Sequence, residues 1–239
     1  MLVKAGEATE RLTIVRLDPA SVRFRVRYAP GTPLPLSGWA ARLPSVLIVN
    51  GGYFTPENET AGLLISGGQA WGTPYGDFAG MFAVSPSAPS VNSGHAETEA
   101  TPHTAEPSEE ERVSVRWLHT QPYDPAEPIR EALQSFPVLI KPGGVMGFPA
   151  DADDGRPARR TVVAQDLQGR ILFIVAPRGY LSLHALARFL AESDLGLDVA
   201  LNLDGGFSTG LWLQTEEKAV NIDSLVPVPS IISVEERYD

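Results

Sequence analysis

Two segments of the chain carry the same arrangement of residues with chemical potential. One is Leu47-Ile-Val-Asn50-Gly-Gly-Tyr53-Phe54; the other is Ala200-Leu-Asn202-Leu-Asp204-Gly-Gly-Phe207-Ser208-Thr209. Each reads as a short apolar strand that meets a polar side chain and then a pair of glycines. Such pairs let a ligand approach the backbone of Gly51, Gly52, Gly205 and Gly206, and freed N–H groups there can hold an anion. Asn-Gly and Asp-Gly are also strong turn signals, so each segment alone is equally a plain turn. Asn202 and Asp204 are two apart and share a face if the strand continues. A carboxylate and an amide on one face can bind a sugar hydroxyl or a water and move a proton. Arg160-Thr161 opens a β-rich run, and an arginine there is suited to gripping the paired oxygens of a phosphodiester. It is otherwise one of a surface cluster with Arg156 and Arg159.

Other chemistries fare worse. Ser208 is not read as the serine of a nucleophile elbow, and a triad would need His119 or His184. His184 falls at the start of an apolar helix, where packing explains it. Asp151, Asp153 and Asp154 before Gly155 have the look of a calcium loop without its downstream glutamate. Asp204, Asn50 and this acidic loop supply oxygen ligands for a hard cation, so a divalent ion has room, but no residue pattern requires a cofactor.

The elements that must position these residues are mostly strands. Val22–Tyr28 alternates strictly, with Val22, Phe24, Val26 and Tyr28 on one face and Arg23, Arg25 and Arg27 on the other. The arginine stripe is either a solvated sheet face or a grip for an anionic polymer. Residues 44–50 read as a strand buried on both faces. Thr161–Asp166 and Arg170–Ala176, separated by Leu167-Gln-Gly169, predict a hairpin. Two helices are expected. One starts at Pro128 with Ile129, Ala132 and Leu133 as its apolar stripe. The other is capped by Ser182, carries Leu183, Leu186, Phe189 and Leu190, and stops by Gly196. The expected class is α+β, a mixed sheet with a few packed helices.

Composition sets outer bounds. The chain has 239 residues, no cysteine, and 22 glycines and 21 prolines, well above their usual combined share of about 12%. Thiol catalysis and zinc ribbons are excluded. The formal charge is -10, which disfavours nucleic acid as a partner. Six of the glutamates lie in residues 85–111, which hold four prolines and no Lys or Arg. That stretch predicts a flexible insertion within one domain, with an inter-domain linker as the alternative. It also contains His95 and His103, which argues against a fixed role for either. No apolar run is long enough to span a membrane.

Taken together, Asn50-Gly-Gly-Tyr53-Phe54, Gly62-Leu63-Leu64-Ile65, Pro137–Ile140 before Gly143-Gly144, Arg160-Thr161, the Leu183–Leu190 helix, Asn202–Thr209 and Val228–Ile232 resemble the phosphodiester glycosidase domain family, over residues 8–235. Departures are Phe207, where many members carry glycine, Ala176-Pro-Arg178-Gly179 after the hairpin, and Gln165. The resemblance implies a hydrolase that cleaves the glycosidic bond of a sugar-1-phosphodiester, and an extracytoplasmic setting. The opening residues MLVKAGEATERL lack a signal-peptide core, so a cytoplasmic setting stands as the alternative. On this reading Asp204 is the acid/base group, Arg160 clamps the phosphate, and Asn50 and Asn202 fix sugar or water. The glycine N–H groups, Tyr53, Thr161, Ser208 and Thr209 complete the site. The substrate is a small sugar phosphate or glycan. A non-catalytic binder of cell-envelope glycans using the same pocket is the second reading, and a domain whose glycine pairs are only turns is the third.

Overall fold

The computed structural model describes residues 1–87 and 110–237. Three large sheets dominate. The first, six-stranded, runs in the order Val145–Met146, Val138–Lys141, Leu197–Asn202, Ala158–Asp166, Ile171–Leu181, Thr13–Leu17. The second has five strands: Ala219–Ile222, Leu211–Gln214, Leu47–Asn50, Ser230–Glu236, Val22–Tyr28. The third, also five-stranded, is Gln69–Trp71, Leu64–Ser66, Glu131–Ser135, Gly80–Pro86, Glu111–Trp117. A small hairpin pairs Leu2–Ala5 with Ala8–Arg11.

All three large sheets turn one face to a common core that includes Phe24, Val49, Phe82, Phe173, Leu201 and Ile232. Phe24 sits at its centre, with ring centroids 5.9 Å from Phe82 and 6.3 Å from Phe173. The other face of the six-stranded sheet is covered by the Leu183–Glu192 helix, whose Leu186 and Leu190 pack with Ile140, Val162, Leu172 and Ile174. Double coverage explains the unbroken apolar run Ile171–Ala176, buried at every position.

The predicted Val22–Tyr28 strand, the strand ending at Asn50 and the 161–176 hairpin all form. Asp166 closes the hairpin by accepting the N–H groups of Gln168 and Arg170. Ser182 caps the predicted helix through the Ala185 N–H. The arginine stripe is engaged internally: Arg25 pairs with Glu111 and Arg27 with Glu235, each at 2.8 Å.

The fold class departs from expectation. The described residues are β-rich rather than α+β, every strand pairing in the three sheets is antiparallel rather than mixed, and the helices are Leu36–Ala40 and Leu183–Glu192. The helix expected from Pro128 is absent; Glu131–Ser135 is a strand buried along its whole length. A strand covered on both faces shows no period of two, so its short apolar run mimics a helix stripe. The buried carboxylate of Glu131 is satisfied by the N–H groups of Val26 and Gly67. The expected insertion is narrower than 85–111 at both ends. Ser85 and Pro86 belong to one strand, Glu111 to its partner, and Ser87 N–H bonds to Glu110. The rest, with His95 and His103, lies outside the described residues. Among the described residues no helix is long and apolar enough to cross a membrane.

Candidate active site

The two glycine-pair segments lie side by side. The strand Leu47–Asn50 belongs to one sheet and Leu197–Asn202 to another, yet their ends converge: Asp204 N–H donates to Gly51 C=O at 3.2 Å. The Asn50 side chain locks this junction. It is fully buried. Its Nδ2 donates to Asp204 C=O at 2.8 Å, and its Oδ1 accepts from Thr161 Oγ1 at 2.7 Å and Gly210 N at 3.1 Å. Asn50 is therefore unavailable to a sugar or water, contrary to the expected contact role. It fixes the loop that carries Asp204. Thr161 is likewise fully buried and acts on Asn50, not on a ligand.

Asp204 stands past the end of its strand and is partly exposed. Its Oδ1 accepts the Gly205 N–H at 2.8 Å, and the Ser208 side chain also hydrogen-bonds the carboxylate. Burial outweighs both bonds and pushes the Asp204 carboxyl above its usual range. Gly51 N–H is taken by Ser230 C=O and Gly205 N–H by Asp204, so these two predicted anion donors are engaged. Gly52 and Gly206 N–H have no partner among the described residues.

Tyr53 lies near Asp204. Its hydroxyl accepts from Asn202 Nδ2 at 2.8 Å and donates to Phe136 C=O at 3.0 Å. Burial, and then the nearby Asp204 charge, push its phenol up to about 12. Asn202 Nδ2 also reaches Phe136 C=O at 3.1 Å, while Asn202 Oδ1 is buried with no partner among the described residues. A buried acceptor in that state wants a donor.

Arg160 also lies near Tyr53. It is tethered by Nε to Leu181 C=O at 3.4 Å and by Nη2 to Arg156 C=O at 3.0 Å. Burial pulls its guanidinium down, while Tyr53, Asp154 and Asp153 hold it up. Its Nη1 lies beside Gly205, 3.9 Å from where a β-carbon would stand. Asp204 and Arg160 thus both lie near Tyr53, whose hydroxyl is held by the buried Asn202.

Ser208 has the spacing of an elbow serine, since Gly206-Phe-Ser-Thr-Gly210 reads G-x-S-x-G. The context is wrong: it sits on a 3-10 turn leading into the strand Leu211–Gln214, almost buried. The described histidines are engaged elsewhere, His119 with Asp77 and His184 with Phe148 C=O. Thr209 is fully buried, its hydroxyl without a partner among the described residues. Phe207 is exposed. Among the described residues no three His, Asp or Glu side chains gather closely enough to hold a metal. Asp151 is exposed and Asp154 pairs loosely with Arg156.

The aromatic side chains behind Tyr53 escaped the sequence reading. Phe136 packs tilted against Tyr53 with centroids 4.8 Å apart, and Tyr75 and Phe78 contact Phe136 at 5.3 and 5.6 Å. No motif marks them, because the contacts join three distant stretches of chain. Phe136 directly precedes the Pro137–Ile140 segment, the one local hint.

Comparisons with known proteins bear on the family and the fold. A family model described as phosphodiester glycosidase matches residues 44–235. No curated protein matches the chain significantly. The catalytic domain of zebrafish N-acetylglucosamine-1-phosphodiester alpha-N-acetylglucosaminidase, auto-inhibited by its pro-peptide, superposes with a TM-score of 0.64. It is 18% identical, over 96% of this chain and 77% of that one. A hypothetical protein from Synechocystis gives 0.60 at 18% identity, over 99% of this chain and 61% of that one. A putative exported protein from Burkholderia pseudomallei gives 0.55 at 14%, over 97% and 75%. The chain thus spans about three-fifths of the Synechocystis protein's length. At these identities the structures speak for the fold, and the family model speaks for membership: the chain belongs to the phosphodiester glycosidase family.

Proposed function

We propose that the protein hydrolyses the glycosidic bond of a sugar-1-phosphodiester, with Asp204 as the acid/base group. The observation that carries this reading is that Asp204 and Arg160 both lie near enough to Tyr53 to act on its hydroxyl, in a chain of the phosphodiester glycosidase family, with Arg160 Nη1 beside Gly205. Arg160 and Gly206 N–H suit two oxygens of a phosphodiester. Water adds to the anomeric carbon and the C1–O bond to phosphorus-bound oxygen breaks. The bonding electrons leave with the phosphate, giving the free sugar and a phosphomonoester of the aglycone. A phosphate leaving group is a weak base and departs without a proton, so one carboxylate serves where most glycosidases use a pair. Asp204, ionised, takes the proton from the attacking water.

The test is a hydrolysis screen over sugar-1-phosphodiesters that differ in sugar, run with and without EDTA. Release of free sugar and phosphomonoester by the wild type, and its loss in Asp204→Asn, supports the proposal. Tight binding with no product throughout the panel overturns it in favour of a glycan-phosphate binder.

A further inference from the structure

A cavity of about 390 Å³, within the size range of small-molecule sites, opens where two edge strands meet. Neither Asp204, Arg160 nor Tyr53 lines it. Val22–Tyr28 and Gln69–Trp71 are each the outermost strand of their sheet, and each ends in an aromatic residue. Tyr28 and Trp71 pack against the common core, with ring centroids 5.4 Å apart and planes inclined at 63°. The two rings form a corner where that core gives way to solvent. The turn after Phe54 brings two carboxylates to this corner: Glu57 and Glu59 both line the cavity and both are exposed. The turn is held. Thr55 Oγ1 accepts the N–H groups of Glu57 and Glu59 at 3.2 and 3.3 Å, and the Tyr28 hydroxyl accepts the Thr60 N–H at 3.0 Å. Thr60 Oγ1 donates to Gly62 C=O at 2.9 Å, and Gly72, at φ +73°, lies against that carbonyl with no room for a β-carbon. Neither carboxylate has a partner among the described residues, and no Lys, Arg or His is among those lining the cavity.

We propose that this cavity binds an organic ammonium cation, at a site separate from the one that carries the hydrolase reading. The lining is electrostatically one-sided: two unpaired carboxylates and the π-systems of an indole and a phenol all favour positive charge. The other ligand classes fit less of it. An anion meets two negative charges and no base. A metal ion wants several oxygen ligands, and among the described residues no three His, Asp or Glu side chains gather to hold one. A neutral sugar leaves both charges uncompensated. Its hydroxyls also need donors, whereas the carboxylates only accept and the Thr60 hydroxyl is spent on Gly62. An alkylammonium uses every part: its alkyl groups cover ring surface, and its charge answers both the rings and the carboxylates.

The test is a calorimetric titration of the whole chain with choline and with the same alcohol carrying carbon in place of the quaternary nitrogen. The two have the same shape and differ in charge. Choline should bind about tenfold more tightly, the scale of a cation–π contact joined to nearby carboxylates. Glu57→Gln with Glu59→Gln should weaken choline by about threefold or more and leave the neutral alcohol unchanged. That double variant alters only exposed side chains, so its melting temperature should match the wild type and its result stands apart from folding. Trp71→Leu keeps apolar bulk but removes the ring, and should shrink the preference for choline further. Equal binding of choline and its neutral analogue by the wild type overturns the proposal. So does choline affinity that survives the double glutamine variant intact, and so does tighter binding of methyl glucopyranoside than of choline.

Discussion

Asn50 donates its side-chain Nδ2–H to the main-chain carbonyl of Asp204 across 2.8 Å, although Asn50 ends a strand of one sheet and Asp204 follows a strand of another. One amide therefore sets the position of the carboxylate without touching it. Truncation strands three buried groups at once: Asp204 C=O, the Thr161 hydroxyl and Gly210 N–H. Asn50→Ala should cost about 3 kcal/mol of stability, since each abandoned buried group costs on the order of 1–3 kcal/mol and some will find water. Urea unfolding measures this, and kcat should fall with it because Asp204 loses its placement. A variant as stable as wild type would show that the junction does not depend on Asn50.

Asp204→Asn separates catalysis from stability. Turnover should drop by about 10²-fold or more, the general scale of acid–base groups. The folded-state carboxyl is raised by burial, so the native protein binds this proton more tightly than the unfolded chain does. The stabilising contribution is complete below the unfolded value near 3.8 and is lost as pH rises through the folded value. At neutral pH the charge opposes folding, and Asp204→Asn should melt higher than wild type. The gain should vanish in acid below the unfolded value. Thermal melts across pH decide it; a lower melting temperature at neutral pH would contradict the burial argument.

The same shift predicts the wild-type pH profile. Because Asp204 must be ionised to accept the water proton, kcat/KM should rise as pH climbs through its elevated value. The midpoint should lie above the ordinary carboxylate range. A rate already at its plateau at pH 4 would remove Asp204 from that role.

Much of this site was open to reading from residue types, and the limits are physical. The glycine pairs, the hairpin behind Arg160 and the Ser182-capped helix are local patterns, set by turn chemistry, alternation and capping, so they survive folding unchanged. The division of labour between Asn50 and Asn202 is not local. Both are amides at strand ends, yet one is satisfied by Thr161 and Gly210 and the other leaves Oδ1 unpartnered. That difference arises only when two sheets meet. The Glu131–Ser135 strand misleads for a related reason. Burial on both faces erases the alternation that identifies a strand, and its polar Glu131 is satisfied by Val26 N–H within another strand and by Gly67 N–H in a turn.

Arg160→Ala should act mainly on binding. Its Nη1 faces Gly205 while Nε and Nη2 are tied to main-chain carbonyls, so the guanidinium is held before any ligand arrives. KM for a phosphodiester should rise at least tenfold, the loss of a charge-assisted pair. An uncharged aryl glycoside of the same sugar, if cleaved at all, should be affected far less. Equal losses on both substrates would argue against a phosphate clamp.

Tyr53→Phe distinguishes positioning from proton transfer. With its phenol pushed up to about 12, Tyr53 stays protonated across the neutral range and serves as a hydrogen-bonding post. Its removal leaves Asn202 Nδ2 with Phe136 C=O alone. The expected loss in kcat/KM is about tenfold, one hydrogen bond's worth of placement. The shape of the pH profile should not move, and a shifted limb would assign Tyr53 a proton.

Gly51→Ala tests the closeness of the two strand ends. An added β-carbon would run into Ser230 Oγ and stand 3.0 Å from the Ser230 carbonyl carbon. Gly51 also accepts the Asp204 N–H and gives its own N–H to Ser230, so it cannot retreat without disturbing the loop that carries the carboxylate. Overpacking of this kind costs about 1–3 kcal/mol. Adding Ser230→Ala removes the hydroxyl but leaves the carbonyl carbon in place, so the double variant should recover part of the stability and not all of it. Strict additivity of the two single changes, measured by denaturant unfolding, would mean that the residues do not press on each other.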